Sequence, residues 1–385
     1  MTRVLKNVLI IFILFFTINF SFAEILYDSN YNYSVDIPEG FQISDMSDDS
    51  TSILFTHPNI AVTLAIKVYN DKSFSSSEEA LLYSLRNLSS NPAIDTATWN
   101  GKKCSLSEID FTLDKNYSGW AVSAELINKT YITLLCYASK DISKGAQQFI
   151  ISTLNSLCVD FDYYNAPGIF VNYAFPKKGD KKVELIIDGT KISSKVDKTD
   201  EEAAQFIVDL EYSVLTLYQN HKSWKEAWQR YYRQIYKDNY YRLNSIFSDI
   251  QKGMKVDFSD DKSKLNYLQK ILFWVQDFSY ERNNSSKKEA DFTNLVSSVL
   301  GKGNDCDSRS MLICAFAKNV GIDGIMVVSN KYSHAVSAIN IDAPGQKYKL
   351  GDKYYLYGET TAKLTFGIIE ETLNDKDNWL PVIFQ

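Results

Sequence analysis

The chain has 385 residues, 45% of them hydrophobic and 14% aromatic. At ~100 to 200 residues per domain this is enough for two or three domains with sizeable cores. A formal charge of -6 argues against a general nucleic-acid or anionic-membrane surface. Five cysteines without Cys-x-x-Cys or Cys/His metal spacing give no reason to expect a metal or another cofactor.

Arg3 and Lys6, the apolar run Val8 to Phe16 and the small residues of Ser21-Phe22-Ala23 predict an export signal over residues 1–23, cleaved after Ala23. The expected destination is the periplasm or the exterior. Thr17 and Asn19 interrupt the apolar run, which is short of the ~20 residues of a membrane span. No later segment is apolar for long enough, so no stable span is expected after cleavage.

Residues 24–164 read as a first α+β unit. Alternating segments near Tyr31 to Ile37, Thr51 to Phe55 and Ala61 to Tyr69 predict strands, and Ser76 to Leu88 a helix. Strands follow over Lys103 to Leu113, Trp120 to Ile127 and Tyr131 to Ala138, with a closing helix over Ile142 to Leu157. Strands, helix, strands, helix in this order imply an antiparallel sheet with helices packed on it. The opening and order loosely resemble the photosystem-P-type and Mog1-type α/β/α domains. His57, before Pro58, reads as an exposed turn histidine.

Residues 165–255 read as a strand-rich connector and an aromatic helical segment. Gly168 to Phe175, Lys182 to Asp188 and Lys191 to Val196 are predicted strands, the last two joined by the hairpin turn Asp188-Gly189. Thr199-Asp-Glu-Glu202 opens a helix whose apolar residues fall at three- and four-residue steps as far as Tyr218. A second helical run, Ser223 to Ile250, carries Trp224, Trp228, Tyr231, Tyr232 and Tyr236. Such a stripe is first of all core; its functional reading is a carbohydrate or peptide platform. His221, between the two helices, takes the structural reading.

Residues 256–385 hold the candidate chemistry. Asn304 or Asp305 is a suitable N-cap, and Met311, Leu312, Ala315 and Phe316 recur at helical spacing before Gly321. Cys306 therefore falls in a first helical turn, where the helix dipole favours the nucleophilic thiolate, and is expected to face a cleft. Asp305 and Asp307 oppose this, since like charge raises a thiol pKa; Arg309 and the dipole act the other way. Downstream, His334 starts a segment of strand-like alternation, and Lys353 to Thr361 forms the next strand.

Helix-start cysteine, strand histidine and then an acid at the end of the following strand resemble, in this chain order, the transglutaminase-like superfamily of papain-like thiol enzymes over roughly residues 262–370. Leu268 to Tyr280 is similar to the helix preceding the nucleophile in that family, and Ala317 to Val328 to its turn into the first core strand. The resemblance implies a transglutaminase-like α+β domain with Cys306 as nucleophile, His334 as base and Glu359 orienting the imidazole. The family usually has aspartate where Glu359 stands, and Asp352 is the fallback acid. It further implies a protein or peptide substrate and an acyl-cysteine intermediate, with hydrolysis as a cysteine peptidase or amidase favoured over cross-linking. The alternative is an inactive extracytoplasmic binding or assembly module on the same scaffold. The Cys306 N–H is the natural oxyanion donor, with Gln276 and Tyr280 as side-chain candidates.

Five cysteines in an exported chain leave at least one unpaired. Cys306 and Cys314 lie about 12 Å apart along one helix at 1.5 Å per residue, too far to bridge. Cys104, Cys136 and Cys158 could supply one disulfide or stay as buried thiols.

Overall fold

The computed structural model describes residues 25–70, 74–88, 92–256, 258–281, 290–302, 304–373 and 375–384. The expected export signal lies outside them. The fold is mixed α+β with an N-terminal antiparallel sheet.

A short ribbon, β1 (Ile25–Asp28) and β2 (Tyr33–Asp36), precedes the sheet strands β3 (Gln42–Met46), β4 (Ser52–His57) and β5 (Val62–Tyr69). Helix α1 (Ser77–Leu85) separates these from β6 (Asp95–Trp99), β7 (Lys102–Thr112), β8 (Asn116–Glu125) and β9 (Tyr131–Ser139), after which α2 (Lys140–Asn155) closes the unit. The seven sheet strands run antiparallel in the order β3-β4-β5-β9-β8-β7-β6. Helix α2 packs on one face, burying Phe149, Ile150 and Leu154, while α1 covers the other with Leu81 and Leu85. The outlying β4 keeps the alternation of a one-faced strand, whereas the central β9 is buried at all but one position, as a strand covered on both faces must be.

One expectation is corrected here, and one open alternative is decided in favour of buried thiols. His57 is buried, not exposed: its Nδ1 accepts from Ile60 N–H at 3.1 Å and its Nε2–H donates to the Glu39 carbonyl at 2.9 Å. All five cysteines are free and buried. Cys104 on β7 and Cys136 on β9 have β8 between them, which at about 4.8 Å per strand spacing puts them beyond disulfide reach.

Helix α3 (Ile169–Ala174) stands where a strand was expected. Asn155 causes the difference, because its Oδ1 accepts from the N–H groups of both Phe170 and Val171 and so caps a helical turn. Gly168 fits beneath it only because it lacks a Cβ, which would stand 2.2 Å from the Asn155 carbonyl oxygen. Next come the hairpin β10 (Asp180–Ile187) and β11 (Thr190–Asp197) and the helices α4 (Asp200–Thr216), α5 (Trp224–Arg242) and α6 (Asn244–Met254). The hairpin turns at Asp188 and Gly189, both with positive φ. The single helical run expected to Ile250 breaks at Leu243, whose side chain is fully buried at the bend.

The remainder comprises α7 (Asp261–Gln276), α8 (Leu295–Val299), α9 (Cys306–Asn319), β12 (Gly324–Ser329), β13 (His334–Ile339), β14 (Lys347–Leu350), β15 (Lys353–Gly358) and β16 (Leu380–Ile383). These five strands form an antiparallel sheet in the order β14-β15-β13-β12-β16, with α9 packed across β12 and β13. One hydrophobic core runs from Val171 through the hairpin and helices to Phe384, so the aromatic helical segment and the C-terminal sheet share an interior. Among the described residues no helix is long and apolar enough to cross a membrane.

A buried charge network ties the N-terminal unit to α4 and α5. Arg230 of α5 donates from Nη1 to Glu211 (2.7 Å) and to Ser152 of α2 (3.0 Å), and from Nε to the Asp36 carbonyl (3.0 Å). The Asp36 carboxylate accepts from Arg233 and Gln234. Burial raises the Asp36 pKa, but the two guanidinium groups outweigh it and hold the carboxyl below its ordinary value. Truncating one member of such a network strands its partners in a dry site. Arg230→Ala is therefore expected to cost about 3–5 kcal/mol, read as a lower midpoint in urea unfolding; an unchanged midpoint would show that the network contributes nothing at this joint.

Candidate active site

Helix α9 begins in the middle of the core, and its first turn is held by Asp305. The Asp305 carboxylate accepts from Ser308 N–H at 2.7 Å, and Ser308 Oγ accepts from Asp305 N–H at 3.1 Å, a reciprocal capping box. Cys306 is the first helical residue. One turn on, Ser310 Oγ donates to the carbonyl of Ala335 (3.1 Å) and lies 3.4 Å from Thr360 Oγ1, while Arg309 donates to the carbonyls of Thr360 and Phe278. The turn that starts with Cys306 is thus fastened to the residues immediately after His334 and Glu359.

His334 opens β13, and Glu359 follows the last residue of β15. His334 Nε2 lies 2.9 Å from Glu359 Oε2. The other carboxylate oxygen, Oε1, accepts from the N–H and the hydroxyl of Thr361, each at 2.7 Å, and the Glu359 carbonyl accepts from Gln276 Nε2 at 2.7 Å. Burial raises the Glu359 pKa, yet the hydrogen bond and charge of His334 and the two bonds from Thr361 outweigh it, so the carboxyl lies below its ordinary value of 4.5. Asp352 is in the exposed turn between β14 and β15. The carboxylate at His334 is therefore Glu359.

Cys306 departs from expectation. It is 2% exposed rather than open to a cleft, because α5 crosses the start of α9 and Tyr232 donates to Asp307 Oδ2 at 3.1 Å. Its Sγ lies 3.8 Å from Asp307 Oδ1. Cys314, two turns on, is buried in apolar surroundings that push its thiol well up, the condition of an inert structural cysteine.

The side-chain oxyanion candidates fare differently from their sequence reading. Gln276 spends its amide hydrogens on the carbonyls of Glu359 and Leu364, at 2.7 and 2.9 Å; it is a brace for the acid strand. Tyr280 is half exposed, with the Arg309 guanidinium 5.3 Å from its ring centroid. Thr361 went unnoticed in the sequence, although a threonine two places after an acid is a common local hydrogen-bonding partner. Carboxylate oxygens of Asp291, Asp305 and Asp307 lie within 4.8 Å of one another, the one group among the described residues with the spacing to hold a cation.

No family model matches the chain, and no curated protein matches it. Among solved structures it is similar to a cyanobacterial PsbP from Synechocystis at 11% identity, over 37% of this chain and 95% of that one, with a TM-score of 0.29. A protein from Bacteroides thetaiotaomicron is similar at 10% identity, over 81% of this chain and 84% of that one, with a TM-score of 0.24. A Pseudomonas aeruginosa protein of unknown function is similar at 12% identity over 32% of this chain and 87% of that one, with a TM-score of 0.21. Likenesses this slight leave fold and function to be read from the chain itself.

The lowered Glu359 pKa has a consequence for acid stability. Its contribution is present above the ordinary carboxyl value and is lost as pH falls through the depressed one. Between pH 5 and 3, roughly, the wild-type protein should lose stability more steeply than Glu359→Gln, by up to about one bound proton in the slope of unfolding free energy against pH. Parallel slopes in urea titrations would show that folding does not depress the Glu359 carboxyl.

Proposed function

We propose that the protein is an exported thiol enzyme with a transglutaminase-like C-terminal domain, in which Cys306, His334 and Glu359 cleave amide bonds through an acyl-cysteine intermediate. The observation that carries this reading is the fastening of the Cys306 turn, through Ser310 and Arg309, to the strand ends that hold the His334–Glu359 pair. A helix-start cysteine, a base and an orienting carboxylate are the parts of a nucleophile-base-orienter site, and these contacts tether the first to the strands that bear the other two.

With Glu359 ionised and accepting from Nε2–H, neutral His334 keeps its lone pair on Nδ1, the nitrogen that takes the thiol proton. The thiolate attacks the substrate carbonyl, and the Cys306 N–H, at the positive end of the α9 dipole, faces the developing oxyanion. Collapse of the adduct passes the proton from His334 to the leaving amine. Water, deprotonated by His334, then attacks the thioester and regenerates the thiol. Reaching the sulfur of a residue that is 2% exposed requires the α5 side of its surroundings to give way.

Thiol alkylation tests the reading. Iodoacetamide is expected to modify Cys306 ahead of Cys104, Cys136, Cys158 and Cys314, and at pH values below the ~8.5 of a free thiol. His334→Ala should slow that reaction by ~100-fold or more, the scale of a lost general base. Equal labelling of all five thiols, or indifference to His334, would leave the scaffold as a binding module.

A further inference from the structure

The aromatic stripe of α5 does not end in the core. Trp224, Trp228 and Tyr232 follow one another at four-residue steps, with ring centroids 5.6 and 6.1 Å apart. At the Tyr232 end the row is fully buried and bonded to Asp307, beside Cys306. At the other end the two indoles are only partly buried and line an open groove of ≈ 570 Å³ between α4, the loop after it and the turn joining β12 to β13.

The lining has a definite chemistry. Tyr212, Trp224 and Trp228 supply aromatic surface, and Gln219, Asn220 and Asn330 supply three carboxamides, all three of them exposed. No charged side chain lines the groove among the described residues. The Lys225 ammonium lies 6.0 Å from the Trp224 ring centroid. Asn220 has a φ of 65°, a left-handed conformation that asparagine tolerates better than most residues. Asn330 lies four positions before His334, so the groove adjoins the candidate catalytic edge.

Rigid indole faces with amides and no charge suit a ligand that has an apolar face, many hydroxyl or acetamido groups and no charge. Such a ligand stacks its C–H surface on the aromatic rings and exchanges hydrogen bonds with groups that both donate and accept. A charged peptide or phosphate would find no counter-ion in the lining. We infer that the groove between α4, α5 and the β12–β13 turn is a binding site for a neutral oligosaccharide, with Trp224 and Trp228 as the stacking platform. The inference does not depend on the thiol reaction, since every lining residue is distinct from Cys306, His334 and Glu359.

Tryptophan fluorescence and calorimetry on the full protein test it, with chitotetraose and cellotetraose as probes and an uncharged tetrapeptide as control. Saturable quenching by at least one sugar is expected, unchanged by added salt and unchanged in Cys306→Ser. Trp224→Ala should weaken binding at least tenfold and Asn330→Ala several-fold. Trp228 also packs against the core, so Trp224→Ala and Asn330→Ala, which lie at the rim, are the deciding variants. No saturable signal with either sugar at millimolar concentration, sugar binding that ignores both rim variants, or binding of the tetrapeptide alone would overturn the assignment.

Discussion

A helix that starts inside a protein core exposes polar groups where water cannot reach them, and the C-terminal half of this chain is arranged around that difficulty. The first turn of α9 brings Asp305, Ser308, Arg309 and Ser310, all buried, into the interior. Left unpaired, each would cost several kcal/mol or less according to its charge, on the order of 1–3 for a neutral group. The capping box satisfies two, and the carbonyls of Thr360, Phe278 and Ala335 accept from the others. Those carbonyls belong to the ends of β15, α7 and β13. Satisfying the helix start therefore fixes the relative positions of the elements that bear Cys306, His334 and Glu359.

A second constraint joins this half to the N-terminal sheet. Arg230, Glu211 and Asp36 are each at most 3% exposed, so removing any one of them leaves buried charge without its partner. Their neighbour Glu39 has both carboxylate oxygens buried without a hydrogen-bond partner, and burial, outweighing the attraction of Arg230 and Arg233, pushes its carboxyl up to about 7. The joint thus favours charge at Asp36, which the guanidinium groups contact directly, and disfavours it three residues on.

Much of this was legible in the sequence where the signal is local. The alternation of β4 and β5, the Asp188-Gly189 hairpin and the cap of α9 depend on residues close in the chain, and each is read from spacing alone. The pairing of His334 with Glu359 was accessible through the resemblance, which puts the orienting acid at the end of the strand that follows the histidine. What the sequence hid depends on distant partners. Asn155 turns an apolar, strand-like stretch at Ile169 into a helix. The Glu39 carbonyl draws a turn histidine into the interior. Tyr232, 75 positions before Asp307 in the chain, helps enclose a cysteine that its helix position alone would leave open. Gln276 looked like an oxyanion donor until the acid strand claimed its amide.

The proposed chemistry requires Cys306 to form a covalent acyl adduct with help from His334, and intact-protein mass spectrometry after brief incubation with an activated acyl ester measures this directly. One added acyl group mapped to Cys306, absent in Cys306→Ser and strongly reduced in His334→Ala while both variants keep the wild-type circular dichroism spectrum, is the expected result. Acylation that is absent from the folded wild-type protein, or that falls on other cysteines and persists without His334, would contradict it.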